Sequence, residues 1–85
     1  MTEPGLRILV VDDEPAIRRF LRASLAAYAT LFEAATGREA LDGVVAHRPD
    51  LVVLDLGLPD IDGVEVTRLL AELTHADTQE IACAP

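Results

Sequence analysis

Six consecutive residues, "LRILVV" from Leu6 to Val11, are almost wholly branched and apolar, and the chain turns acidic directly after them at "DDE", Asp12 to Glu14. An amphipathic helix would interrupt such a run with polar residues, and a half-exposed strand would alternate. A nearly continuous apolar run that stops at a turn signal fits a strand buried on both faces, the condition of a parallel sheet. Parallel strands need long crossovers, and helices packed on the sheet supply them. This one segment therefore commits the chain to an alternation of strands and helices.

The remaining sequence follows that plan. Pro15 stands where a first helical residue is tolerated. Ile17, Phe20, Leu21, Leu25 and Tyr28 recur at helical spacing as the inward face, while Arg18, Arg19 and Arg22 read as a solvated outer face. "TLFEA" (Thr30 to Ala34) predicts a second strand. "TGRE" (Thr36 to Glu39) is a capping box that opens a helix bearing Leu41, Val44 and Val45. "HRPD" (His47 to Asp50) punctuates, and "LVVLDL" (Leu51 to Leu56) is another doubly buried strand. After the loop "GLPDID", Asp62 and Glu65 cap a helix carrying Val66, Leu69, Leu70 and Leu73. "EIACA" (Glu80 to Ala84) is a weaker candidate for a fourth strand. The expectation is an α/β fold with right-handed crossovers and helices on both sheet faces, organised as one domain over residues 1–85.

Charge narrows the classes of partner. Fifteen acidic residues against seven arginines give a formal charge of −8, which opposes binding to nucleic acid by this chain alone and to anionic membranes. No apolar run approaches the length of a membrane span. The single Cys83 cannot form an internal disulfide and reads as a small apolar residue rather than a nucleophile. "MTEPGLRI" lacks the regions of a signal peptide, so a cytoplasmic setting is expected. His47 and His75 read as structural, being too far apart in pattern for a metal site.

The chemistry lies in the acids that end the strands. Asp12 and Asp13 follow the first apolar run, and Asp55 ends the third strand. In open α/β sheets ligands bind beyond the carboxyl ends of strands, so the three acids converge if those strands are neighbours. Two unit charges about 4 Å apart repel by roughly 4 kcal/mol at an effective dielectric near 20, which favours a bound cation or a raised pKa. Hard oxygen donors suit Mg²⁺, and an aspartate beside such an ion can attack phosphorus. An acidic pair after a strand also commonly caps the next helix. The third acid at a second strand end, followed by "GLPDIDG", favours the site over the cap. "DIDG" (Asp60 to Gly63) is too short for a calcium loop, and its Asp62 reads as a helix cap.

"ILVVDDEPAIRRFLR" and "PDLVVLDLGLPDIDGVEV" resemble the first and third strand regions of the receiver domain of bacterial two-component response regulators, of OmpR/PhoB type and in particular the Kdp potassium-transport regulators. The likeness runs from about Leu6 to Leu73. It implies a three-layer flavodoxin-like (CheY-like) open parallel sheet of strand order 2-1-3-4, about (βα)3 with a possible fourth strand. It implies Asp55 as phosphoacceptor, Asp13 as a direct Mg²⁺ ligand, Asp12 as a ligand through water, and the backbone carbonyl of Gly57 as a further ligand. Pro59 and Gly63 would shape the loop after the acceptor. A sensor histidine kinase would supply the phosphoryl group.

The resemblance also sets expectations by what is missing. Receivers place a Thr or Ser at the end of the fourth strand, where this chain has Ala82 or Ala84, and a Lys before a fifth strand, whereas this chain contains no lysine. The chain therefore reads as a receiver truncated before its fourth helix, with an apolar sheet face left for a homo-oligomer to cover. Two other functions stay open. One is a pseudo-receiver that acts only as an interaction or dimerisation module. The other is a metal-dependent aspartyl phosphatase, disfavoured because that chemistry wants a second acid where Gly57 stands.

Overall fold

A computed structural model describes residues 5–55, 57–73 and 80–84. Seven elements alternate along the chain: β1 (Leu6–Val11), α1 (Pro15–Leu25), β2 (Ala29–Ala34), α2 (Gly37–His47), β3 (Leu51–Asp55), α3 (Gly63–Leu73) and β4 (Glu80–Ala84). All pairings are parallel and the strand order is β2-β1-β3-β4, as the resemblance implies. "EIACA" is thus a strand, paired with β3 from Leu51↔Glu80 to Asp55↔Ala84. His75 and residues 1–4 of the amino-terminal motif lie outside the described residues, as does the side chain of Cys83.

Alternation within β1 divides the core. Leu9 and Val11 face one side with Val52 and Leu54 of β3, where Ala40 and Val44 of α2 and Val66 and Leu70 of α3 complete the larger cluster. Ile8 and Val10 face the other side with Ala29 and Leu31, against Leu21 and Leu25 of α1. The result is three layers. Small residues let α2 lie close to the sheet: a Cβ at Gly43 would stand 3.3 Å from Leu9 Cδ1. The capping box of α2 forms as the sequence predicts, with Thr36 Oγ1 accepting from the Glu39 amide at 3.1 Å and Glu39 Oε1 accepting from the Ala35 amide at 2.9 Å.

Several expectations need correction. β2 begins at Ala29, one residue before Thr30. α1 ends at Leu25, and a turn from the Tyr28 amide to the Leu25 carbonyl takes Tyr28 out of helical phase, leaving it 73% exposed. Ile17 and Phe20 are also exposed, and the apolar packing of α1 on the sheet runs through Leu21 and Leu25. Val45 is exposed because the buried stripe of α2 runs through Gly37, Ala40 and Val44, and the next residue is turned about 100° around the helix. Glu65 does not share the capping of α3 with Asp62; it pairs along the helix with Arg68, which also meets Glu72 at 2.6 Å.

The arginines of α1 are the largest correction. Arg19 and Arg22 are exposed as expected, but the face carries an ion-pair partner that the sequence did not show: Arg18 Nε donates to Glu33 Oε1 at 3.0 Å and Arg22 Nε to Glu33 Oε2 at 2.7 Å. Glu33 sits on β2, so one carboxylate bridges two turns of α1 and anchors a helix that has no fully buried residue. Helical periodicity assigned these arginines to solvent because their partner lies on another element. Arg22, with help from Arg18, holds the Glu33 carboxyl below its ordinary value near 4.5. Glu33→Gln should therefore cost about 1 kcal/mol at neutral pH. A group with a lowered folded pKa contributes stability above its ordinary pKa and loses it as pH falls through the folded value. Urea unfolding across the acid range should show the gap between wild type and Glu33→Gln closing below about pH 4.5; a gap constant with pH would contradict the ion pair.

Candidate functional site

Two neighbouring strands bring the acids together. Val11, the last residue of β1, pairs with Leu54 of β3, so Asp12 leaves the sheet level with Asp55. The Asp12 amide still donates to the Ala34 carbonyl of β2 at 3.0 Å, carrying the ladder one residue further. Asp13 follows at the exposed lip. One carboxylate oxygen from each of Asp12, Asp13 and Asp55 lies within 4.8 Å of the others. Asp12 and Asp55 are half-buried and Asp13 is exposed. Among the described residues none of the three acids pairs with an arginine or histidine side chain.

Backbone contacts hold this cluster in place. Asp12 Oδ1 accepts from the Glu14 amide at 2.9 Å, and Arg18 donates to the Asp12 carbonyl at 2.5 Å. The local turn that competed with the site reading is therefore also present, though the N-cap of α1 is Glu14, with no side-chain cap bond. Asp55 Oδ1 accepts from the Gly57 amide at 2.9 Å, which starts the loop around the Asp55 carboxylate. Pro59 is exposed in that loop, and Gly63 opens α3. Asp62 caps α3 as expected, its Oδ1 accepting from the Val64 amide at 3.1 Å.

Two residues that brace the segments carrying the cluster escaped the sequence reading. Arg18 is one, through its bond to the Asp12 carbonyl. Asp60 is the other: Oδ1 accepts from the Gly37 amide at 2.8 Å and Oδ2 from the Arg38 amide at 3.1 Å, at the N-terminus of α2. Those amides, Gly37 first, hold the Asp60 carboxyl below its ordinary value. The one available signal was the unpaired first-turn amides that every helix presents, here those of α2 after "TG".

The other candidates lie apart from the cluster. His47 ends α2 and stacks on Phe32 with ring centroids 4.0 Å apart, and the Arg7 guanidinium lies 5.0 Å from the centre of the Phe32 ring. A cleft of about 250 Å³ between β2 and α2 is lined by Glu33, Glu39, Asp42, Gly43, Ala46 and His47, and includes none of the three acids. β4 sets Ala84 opposite Asp55 and Ala82 opposite Val53, so neither supplies a hydroxyl at the site. The chemistry of the cluster is that of hard oxygens around an unneutralised charge, suited to a small hard cation beside a carboxylate nucleophile.

Comparison with known proteins agrees with this geometry. Residues 8–84 match the response regulator receiver domain family. The chain is 53% identical over 66 residues to the response regulator MprA of Mycolicibacterium vanbaalenii and 48% identical over 66 residues to the KDP operon transcriptional regulatory protein KdpE of Escherichia coli. Each alignment covers 76% of this chain, which spans 29% of the length of either relative. Among solved structures, the chemotaxis protein CheY4 of Vibrio cholerae superposes with a TM-score of 0.84 at 28% identity, over 92% of this chain and 66% of that one.

Three like charges so close oppose folding when no cation is bound. In chelator and low salt, Asp13→Asn should stabilise the protein by about 1 kcal/mol, a rise of roughly 5 °C in melting temperature for a domain of this size. The gain should shrink as added salt screens the repulsion. A melting temperature that falls would show that Asp13 is held by contacts rather than repelled.

Proposed function

The chain belongs to the response regulator receiver domain family, and on that premise we propose that it is a phosphoacceptor module that takes a phosphoryl group on Asp55 from a sensor histidine kinase. The observation that carries this reading is the convergence of Asp12, Asp13 and Asp55, with no arginine or histidine side chain paired to them among the described residues. An Asp55 carboxylate oxygen would attack phosphorus, the bond from phosphorus to the kinase histidine would break, and an acyl phosphate would form on Asp55. Bonds at both ends of the reactive loop, to the Asp55 carboxylate and to α2, keep the acceptor from turning away.

The donor set fits Mg²⁺: three carboxylates of adjacent strand ends, with the Gly57 carbonyl on the loop that Asp55 itself nucleates. When bound, the ion supplies the neutralising charge that lets an anionic carboxylate approach an anionic phosphoryl group. Asp13, at the open lip, and Asp12 would hold it. Catalysis beyond the module's own phosphorylation forms no part of this reading. A charge of −8 argues against nucleic-acid binding by this chain alone. No described helix is long and apolar enough to cross a membrane, and we place the module in the cytoplasm with the kinases that serve this family.

The test has two arms. Mg²⁺ at ten times its Kd should raise the melting temperature by roughly 5 to 10 °C through mass action, and Asp13→Ala should abolish that rise. Acetyl phosphate with Mg²⁺ should label wild type but not Asp55→Asn, with a label stable in acid and cleaved by hydroxylamine. Labelling should be slow, since no described arginine or histidine side chain pairs with the three acids. Metal binding without labelling on prolonged exposure would favour a pseudo-receiver that serves only as an interaction module.

We also propose self-association through the α1 side of the sheet. There Ile17 and Phe20 are 41% and 66% exposed, and Leu51 and Val53 are only partly covered, an apolar surface that a second copy would bury. Light scattering coupled to gel filtration at micromolar concentration should give a mass above one chain. A compact, cooperatively folding monomer would overturn this.

A further inference from the structure

Asp60 and Gly37 join two segments that strand pairing leaves independent. The loop after β3 carries Gly57 beside the acceptor, buries Leu58, and then reaches α2, where Asp60 spans the Gly37 and Arg38 amides. The fit there is close on the other side as well. A Cβ at Gly37 would stand 2.9 Å from Val66 Cγ2 and 3.1 Å from Ile61 Cβ, so the bare backbone of α2 rests directly on the loop and on α3. The loop is therefore fixed at both ends, by the Gly57 amide on Asp55 and by the Asp60 carboxylate on α2.

We propose that Asp60 is a positioning residue for the metal and phosphoryl chemistry of Asp55: by bridging the first two amides of α2, it holds residues 57–61 in the conformation that presents the Gly57 carbonyl to the carboxylate cluster. This inference rests on the phosphoacceptor reading and adds to it a residue that touches neither metal nor phosphate. α2 already has its own cap at Thr36 and Glu39, so the helix does not depend on Asp60 for its start. The loop has no comparable second anchor between Gly57 and Asp62 among the described residues, apart from the packing of Leu58 and Ile61. Freed from α2, its backbone would sample other conformations, and metal binding would have to order it again.

The whole 85-residue chain serves for the test, with MgCl₂ titrations followed by amide chemical shifts. Asp60→Ala should raise the Mg²⁺ Kd about tenfold, the low end of the effect of removing an outer partner of a metal site, and should slow labelling by acetyl phosphate at subsaturating Mg²⁺ by a similar factor. Asp60→Asn, which keeps an acceptor oxygen, should recover most of the affinity. Thr36→Ala removes a cap bond from the same helix and should leave Kd and labelling unchanged, which separates positioning from helix stability. By reciprocity, saturating Mg²⁺ should slow hydrogen exchange at the Gly37 and Arg38 amides of wild type by about the same factor. An Asp60→Ala Kd within twofold of wild type, or exchange at those amides indifferent to Mg²⁺, overturns the inference. Should Asp60→Ala not fold, Asp60→Asn and wild-type exchange decide alone. A wild type that binds no Mg²⁺ removes the phosphoacceptor reading and this inference together, an outcome distinct from normal wild-type binding left unchanged by Asp60→Ala.

Discussion

The pairing of β1 with β3 sets the register of everything else. A slip of one residue would turn Leu9 and Val11 out of the larger cluster and move Asp12 off the level of Asp55. The apolar contacts that choose the register therefore also choose which acids meet. This matters because the acids themselves oppose the arrangement. Their mutual repulsion would favour any slip that separated them, and the complete burial of Val52 and Leu54 between β1 and the helices prevents it.

The same short device then orients the acids locally. Asp12, Asp55 and Asp62 each accept a bond from the amide two residues onward, at Glu14, Gly57 and Val64. Such turns commit one carboxylate oxygen to the backbone and fix the rotamer. In Asp62 the turn begins a helix. In Asp12 and Asp55 it orients a carboxylate of the candidate site, so capping and the acidic cluster are one structure seen from two sides. The choice between them that the acidic pair poses in the sequence dissolves in the fold.

What was legible in the sequence follows from whether the cause was local. The apolar runs "LRILVV" and "LVVLDL" declare parallel strands without reference to anything else, although β3 is fully buried only at Val52 and Leu54, and with "DD" and Asp55 at their ends they place the candidate site. Thr36 and Glu39 announce a capping box within four residues. The role of Glu33 was hidden, since an acid in a strand gains meaning only when Arg18 and Arg22 arrive from α1. Asp60 was hidden for the same reason: its partners are backbone amides 23 and 22 residues away, and the start of α2 announces free amides without saying which side chain meets them. Phe20 and Tyr28 misled because periodicity tells which residues share a helix face but not how much of that face the sheet covers.

The two helical layers are attached in different ways. On one side α2 presses glycine and alanine against the sheet and against α3, with Gly37, Ala40 and Val44 all buried. On the other, α1 buries none of its residues completely and is held mainly by Leu21, Leu25 and the two guanidinium groups on Glu33. Interdigitated backbone can yield only by breaking contact, whereas long charged side chains can pivot while their ends stay bound. The protein is thus stiff on its α2 side and compliant on its α1 side. Arg18 bonds to the main chain of Asp12 at the boundary between the two. A load applied at the acidic rim would be taken up as tilt of α1, leaving the opposite layer as the fixed frame against which that tilt is measured.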